Sequence, residues 1–277
     1  MAEVKEVKDV LESYPLSRDF VDFNRHHYLW KDVFGYNIHP KIHQGRELMK
    51  VADVGAGTGV WLMDVLPQLH PDAQLVGVDT DTSQLAPEQW LPPRVTVREW
   101  DVFTEVPEDL VGAFDMVNLR LFNFVIVDDP APVLRNLIKM LKPGGYIQWG
   151  EVNVPSMRIE TATSGLETTC LQSLWDETIP PGSRMRPEWA KALPETFSRE
   201  GLLNVEADWQ RGKHHTALAI HWCNLHIHQM MADRLRPANA EKAAQLGRLV
   251  LGAAAESRRG AMYAFDKVTV IGQKSAY

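Results

Sequence analysis

In VADVGAGTGVW, residues 51–61, the glycines Gly55, Gly57 and Gly59 alternate between an apolar run and a helical pattern, with Asp53 just ahead of them. A backbone bare of side chains at a helix entrance lets a ligand lie directly against N–H groups. Two carboxylates follow. Asp79 ends LVGVD, about 20 residues past the glycines, where a carboxylate accepts from both hydroxyls of a ribose. Asp101, in REWDV, is placed to accept from an adenine amine, with apolar neighbours such as Val102 sandwiching the ring. Either aspartate alone is an ordinary turn residue. In register with the glycines, they describe a nucleoside site.

A dinucleotide fingerprint would put its third glycine at position 60, where Val60 stands, so the expected ligand lacks a pyrophosphate and a nicotinamide-dependent oxidoreductase is disfavoured. S-adenosyl-L-methionine (SAM) meets these terms. Its expected contacts are Asp53, Gly55, Ala56, Gly57, Gly59, Asp79, Thr80, Asp101, Val102 and Arg120.

The elements that must hold these residues follow from periodicity. Short β-branched runs, MKVADV, QLVGVD, RVTVRE, FDMVNL and GGYIQWGEV, alternate with helical or loop segments such as VWLMDVLPQLH and PAPVLRNLIKMLK. That alternation predicts a Rossmann-like, doubly wound α/β sheet, mostly parallel with an antiparallel last strand. Helices are expected over 165–178, 187–200 and, as a pair, 217–258, with strands near 203–209 and at AFDKVTVIG. The reading is one domain: an N-terminal helical lid over 1–48, with Val4, Val7 and Leu11 on one face, a SAM-binding core over 49–152, and acceptor-side helices and closing strands over 153–277.

Composition narrows the function classes. With 277 residues, 45% hydrophobic, and a net charge of −7, the chain suits a globular protein and carries no basic footprint for nucleic acid. No apolar stretch approaches a membrane span, and the charged start lacks a signal-peptide core, so a cytoplasmic protein is expected. Cys170 and Cys223 make neither a disulfide framework nor a metal spacing. His214, His215, His221, His226 and His228 include no pair four apart on one helix face, so no metal is expected, and pocket lining suits one of them better. Asp128 and Asp129 before Pro130 read as a helix cap.

These motifs resemble class I SAM-dependent methyltransferases, of the group common in fungal secondary metabolism that also includes a global regulator. The resemblance runs from about residue 14 to 152, through VADVGAGTGVW, VGVDTDTSQ, the stretch from Trp90 to Val95, Asp101, FDMVNLR ending in Arg120, and LKPGGYIQWGE ending in Glu151. Upstream, HHYLWKDVFGYNIHP is similar to a family helix, with His27 on the family's histidine and His26 in place of its glutamine. Trp100-Asp101 departs from the family's acidic pair, and Leu121-Phe122-Asn123 from its Gly-Ser, which touches the acceptor site more than the cofactor site.

The resemblance implies methyl transfer to a small, rather apolar metabolite, with oxygen as the expected atom and a homodimer compatible with it. A sulfonium donor is already activated, so in-line positioning dominates. A hydroxyl acceptor still needs a base, and His27 and Glu151 are the candidates. Arg120 is expected to hold the SAM carboxylate or to pair with Glu151, whose structural alternative is to serve Arg120 or a backbone amide. Other readings open to the same fold are a non-methylating SAM enzyme, catalysing cyclisation or dehydration, and a regulator acting through partners.

Overall fold

Strands β1 (Lys50–Val54), β2 (Gln74–Asp79), β3 (Val95–Glu99) and β4 (Phe114–Arg120) form where the β-branched runs predict them. β1, β2 and β4 are buried almost end to end, as strands covered on both faces should be. The computed structural model describes residues 20–43, 45 and 47–277, so the stripe of Val4, Val7 and Leu11 lies outside the described residues. With β5 (Leu141–Thr161), β6 (Leu203–Gln210) and β7 (Ala261–Gln273) the strands make one seven-stranded sheet in the order β3-β2-β1-β4-β5-β7-β6. β1 to β5 pair in parallel, and β7 runs antiparallel to β6. That order is the expected doubly wound sheet with its antiparallel strand.

The chain gathers into two compact units. The described residues of the first, the sheet unit, are 20–43, 45, 47–152, 188–210 and 267–277; those of the second, the helical unit, are 153–187 and 211–266. In the sheet unit, α1 (Phe20–Phe34), α2 (Val60–Val65), α3 (Ala131–Met140) and α5 (Leu193–Arg199) flank the strands. One face of the sheet packs Trp61, Leu62 and Val65 of α2 against Val51, Leu75 and Met116. The other packs Val133, Leu134, Leu137 and Met140 of α3 with Trp149, Phe197 and Val270. The helical unit contains α4 (Thr169–Thr178), α6 (His214–Leu235) and α7 (Ala240–Arg258).

Two elements differ from their sequence patterns. The helical run VWLMDVLPQLH holds an α-helix only to Val65, and Pro67 falls in a 3₁₀ turn over Leu66–Gln68. β5 extends well beyond GGYIQWGEV at both ends, to 21 residues, because the segment past Glu151 stays extended through Pro155. The N-cap of α3 is Pro130, with no side-chain cap bond, so Asp129 is not the expected cap; its Oδ1 accepts from Ala131 N at 3.0 Å in a turn one residue ahead of the helix.

Candidate active site

The glycine turn is shaped by what crowds it. Gly55 lies at φ +72°, and a Cβ there would run into the Phe122 ring. Gly57, at φ +53°, has open space where its Cβ would point, the form of a cradle that a ligand can approach. Gly55 N and Ala56 N donate to Val78 O at 2.8 and 3.1 Å, tying the turn to β2, and Gly59 caps α2. Asp79 closes the cradle from the end of β2: its Oδ2 accepts from Gly57 N and its Oδ1 from Thr80 N, both at 2.7 Å. The two expected partners of a nucleoside are therefore joined, carboxylate to glycine amide. Thr80 is exposed beside them.

Asp101 is exposed, and its Oδ1 accepts from Phe103 N at 2.9 Å, so the side chain caps its own turn. Val102 behind it is buried. Asp53 is buried beneath the turn with Oδ1 accepting from Asn118 Nδ2 at 2.8 Å. Burial pushes its carboxyl up to about 7, against the opposing pull of Asn118 and Arg120. Asn118 Oδ1 in turn accepts from Gln148 Nε2, which also donates to Asn37 O, while Gln148 Oε1 accepts from His39 N at 2.7 Å. A line of amides thus crosses β1, β4 and β5 and fastens the loop after α1 to the middle of the sheet.

Helix α1 is held by charge. Asp64, on α2, takes both Nζ–H contacts of Lys31 at 2.9 and 2.8 Å, Asn37 Nδ2 at 2.9 Å and His27 Nε2 at 2.9 Å. Partial burial works to raise Asp64, and these donors overcome it, holding the carboxyl at about 2. On the other side of the ring, Arg120 Nη2 donates to His27 Nδ1 at 3.0 Å. Because a guanidinium only donates, Nδ1 accepts and Nε2 carries the proton given to Asp64. His27 is therefore a neutral bridge with both nitrogens engaged, pushed down to about 4 by burial and by Arg120. Arg120 lies 5.7 Å from the Trp30 ring centre, and burial lowers it to about 10. A further bond joins α1 to the glycine turn: Thr58 Oγ1 donates to Asn24 Oδ1 at 2.6 Å.

Of the structural partners expected for Glu151, the backbone amides are the ones it takes. It is fully buried, with Oε1 accepting from Phe122 N at 2.7 Å and Trp149 Nε1 at 2.8 Å, and Oε2 from Asn123 N at 3.2 Å. Burial pushes it up to about 8, and the N–H donors oppose the shift. It clamps the turn after β4, where Leu121 adopts φ +62°, and so presses Phe122 toward Gly55. Arg120 pairs with His27, so the expected Arg120–Glu151 pair is not formed among the described contacts. Of the neighbouring pair on α1, it is His26 whose Nε2 is buried without a hydrogen-bond partner.

Asn24, Asp64, Asn118 and Gln148 were not singled out by sequence. Asn118 and Gln148 carried a signal, being amides flanked by apolar residues in buried parallel strands, where a polar group persists only if it is paired. Among the described residues no three His, Cys, Asp or Glu side chains gather to hold a metal, and no helix is long and apolar enough to cross a membrane.

Residues 52–147 match the family model of a methyltransferase domain. Among curated relatives, methyltransferase grgD of a Penicillium species is 32% identical over 112 residues, covering 38% of this chain and 39% of the relative. N-methyltransferase tcpN of Claviceps purpurea is 27% identical over 146 residues, 52% of each chain. The secondary metabolism regulator laeA of Monascus pilosus is 29% identical over 212 residues, 71% of this chain and 52% of the relative. The chain thus spans about half, or less, of the length of the curated relatives it matches. In fold it is similar to phosphoethanolamine N-methyltransferase 2 of Haemonchus contortus, at TM-score 0.53, 16% identity, 97% of this chain and 60% of that one.

Proposed function

This chain carries a class I SAM-dependent methyltransferase domain with SAM as its cofactor, and from that premise we propose that it methylates a small, rather apolar metabolite at oxygen. The observation that carries the reading is the open glycine cradle joined to the Asp79 carboxylate. When bound, SAM supplies a methyl group on a sulfonium. The protein's task is to hold and align. Asp79 offers its lone pairs to the ribose hydroxyls, and the turn from Gly55 to Gly59 gives backbone against which the cofactor lies. Asp101 and Val102 border the adenine, and Asp53 and Arg120 set the charge near the amino-acid end. The part of the chain from residue 153 on lies beyond the matched family region and carries the choice of acceptor.

His27 and Glu151 act as positioning residues in this scheme, since each already has partners at all the atoms a base would use. His26 takes the role of proton acceptor, because its Nε2 lacks a partner. A hydroxyl acceptor suits that arrangement, for its proton must leave as the methyl arrives. A second reading has one specific support: the regulator laeA is similar over 71% of this chain, so a regulatory protein built on the same domain would need no small acceptor.

The test is calorimetry with SAM, followed by assay of labelled methyl transfer to hydroxylated and amine acceptors. Asp79→Ala should weaken SAM binding about five- to 150-fold, the equivalent of about 1–3 kcal/mol for stranded polar groups. Wild-type protein that binds NAD(H) and ignores SAM would overturn the premise. Transfer to amines alone would replace oxygen by nitrogen.

A further inference from the structure

In the sheet unit a carboxylate reaches a guanidinium through a neutral ring. His27 Nε2 donates to Asp64 on α2 at 2.9 Å, and His27 Nδ1 accepts from Arg120 Nη2 at 3.0 Å. The ring between them is 1% exposed. Asp64 is anchored by Lys31 and by Asn37 Nδ2 as well, so the near end of the relay is fixed. At the far end the Arg120 guanidinium lies 5.7 Å from the Trp30 ring centre, and Trp30 packs so close to Gly150 that a Cβ there would come within 2.8 Å of the ring. An indole beside it and an imidazole at one tip restrict where the guanidinium points.

Register places that guanidinium. Val54 pairs with Leu119, so Arg120 is level with Gly55 at the carboxyl edge of the sheet, where the glycine cradle opens. A direct ion pair with Asp64 would engage the guanidinium fork in two parallel bonds and cancel its charge. The neutral imidazole takes one N–H of the five and leaves the charge standing. Against burial, its donors hold Asp64 at about 2, while burial and Arg120 hold His27 at about 4, so at pH 7 the relay runs negative, neutral, positive. The other carboxyl that acts on Arg120 by charge is Asp53, which is buried and engaged by Asn118 Nδ2. A guanidinium so held fits a carboxylate, and the amino-acid end of SAM carries one. The helical unit builds its histidines differently: His221 bridges Tyr263 N and Ser257 Oγ, and it and His228 lie against the Tyr263 ring, at 5.1 and 6.1 Å between ring centres.

We propose that Asp64 is a positioning residue for cofactor capture: acting through His27, it aims the Arg120 guanidinium at the carboxylate of the cofactor's amino-acid end. This rests on the reading of the cofactor edge given above.

The probes are S-adenosylhomocysteine and S-adenosyl-3-thiopropylamine, the same molecule without its carboxylate, titrated by calorimetry into the full chain. His27→Leu and Asp64→Leu should each weaken S-adenosylhomocysteine about tenfold and the amine less than about twofold. His27→Gln and Asp64→Asn, which keep a donor and an acceptor where the relay needs them, should stay within about threefold of wild type. With Arg120→Leu in place, His27→Leu should cost nothing further. Binding of the amine reports that each variant is folded, and a second measurement needs no variant. In histidine-labelled wild-type protein, the His27 Nδ1 resonance should move further on adding S-adenosylhomocysteine than on adding the amine. Equal weakening of both probes, conservative variants no better than leucine, or an equal response of the resonance overturns the relay. Wild-type protein that binds both probes alike sinks the placement of Arg120 at the carboxylate, and wild-type protein that binds neither sinks the cofactor site itself. Both results differ from a relay that fails in the variants alone.

Discussion

Each of the two units carries a pair of helical histidines, and in each pair one ring is fully bridged while the other keeps a buried nitrogen without a partner. In the sheet unit His27 is the bridge and His26 the unpaired ring; in the helical unit His221 is the bridge and His228 the unpaired ring. The surroundings separate them. His26 is lowered to about 4 by burial and then by Lys267, Arg120 and Arg25, whereas burial alone accounts for His228. One unit wires its polar groups with charge around a cofactor edge, and the other surrounds one with rings. Pairing, more than residue type, decides which histidine has an atom to offer a ligand.

The comparison is broken most sharply at the glycine turn. Gly55→Ala adds a side chain at φ +72° and against Phe122, so SAM affinity should fall about 100-fold or more. Calorimetry that finds SAM affinity intact would mean the cradle does not hold the cofactor. Next in size is Glu151→Gln. A carboxamide turns a donor toward N–H groups and strands at least one of Phe122 N, Asn123 N and Trp149 Nε1, which should lower unfolding free energy by about 1–3 kcal/mol. Urea unfolding measures this. If stability is unaltered but turnover collapses, Glu151 is chemical after all.

The smallest effect concerns pH. His27 and His228 both lie at about 4 when folded, against 6.5 as the ordinary value, so between those limits the unfolded chain binds more protons. Stability due to each is present above pH 6.5 and is lost as pH falls toward 4. His228→Phe should flatten the fall by at most about 1.4 kcal/mol per pH unit, and His27→Gln by a similar amount. Differences from wild type isolate each ring from Asp53 and Glu151, whose raised values act in the opposite sense. If His228→Phe leaves the slope unchanged, its ring is solvated and the contrast between the units disappears.

The core of the sheet was legible because β-branched runs such as LVGVD and FDMVNL have no other stable arrangement in a chain of alternating strands and helices. The glycine cradle and Asp79 were legible for a related reason, since bare backbone at φ > 0 and a strand-end carboxylate about 20 residues apart are local signals. Other features depended on pairing across long separations. Nothing near His27 announces that Asp64 and Arg120 will take its two nitrogens, and nothing near Glu151 announces the turn it clamps. The full reach of β5 was hidden by Pro155, which reads as a strand breaker.

The amide line through Gln148 also orders events in time. Its bonds to His39 N and Asn37 O, at separations of 109 and 111 residues, close essentially one loop, at an entropy cost of about 4 kcal/mol before the contacts return anything. The loop after α1 has a shorter closure of its own, from Asn37 to Asp64, but its contacts with Gln148 form only once β5 has joined the sheet. Long-range closures of this kind form late, so the His39 amide should exchange with solvent faster than those of β1.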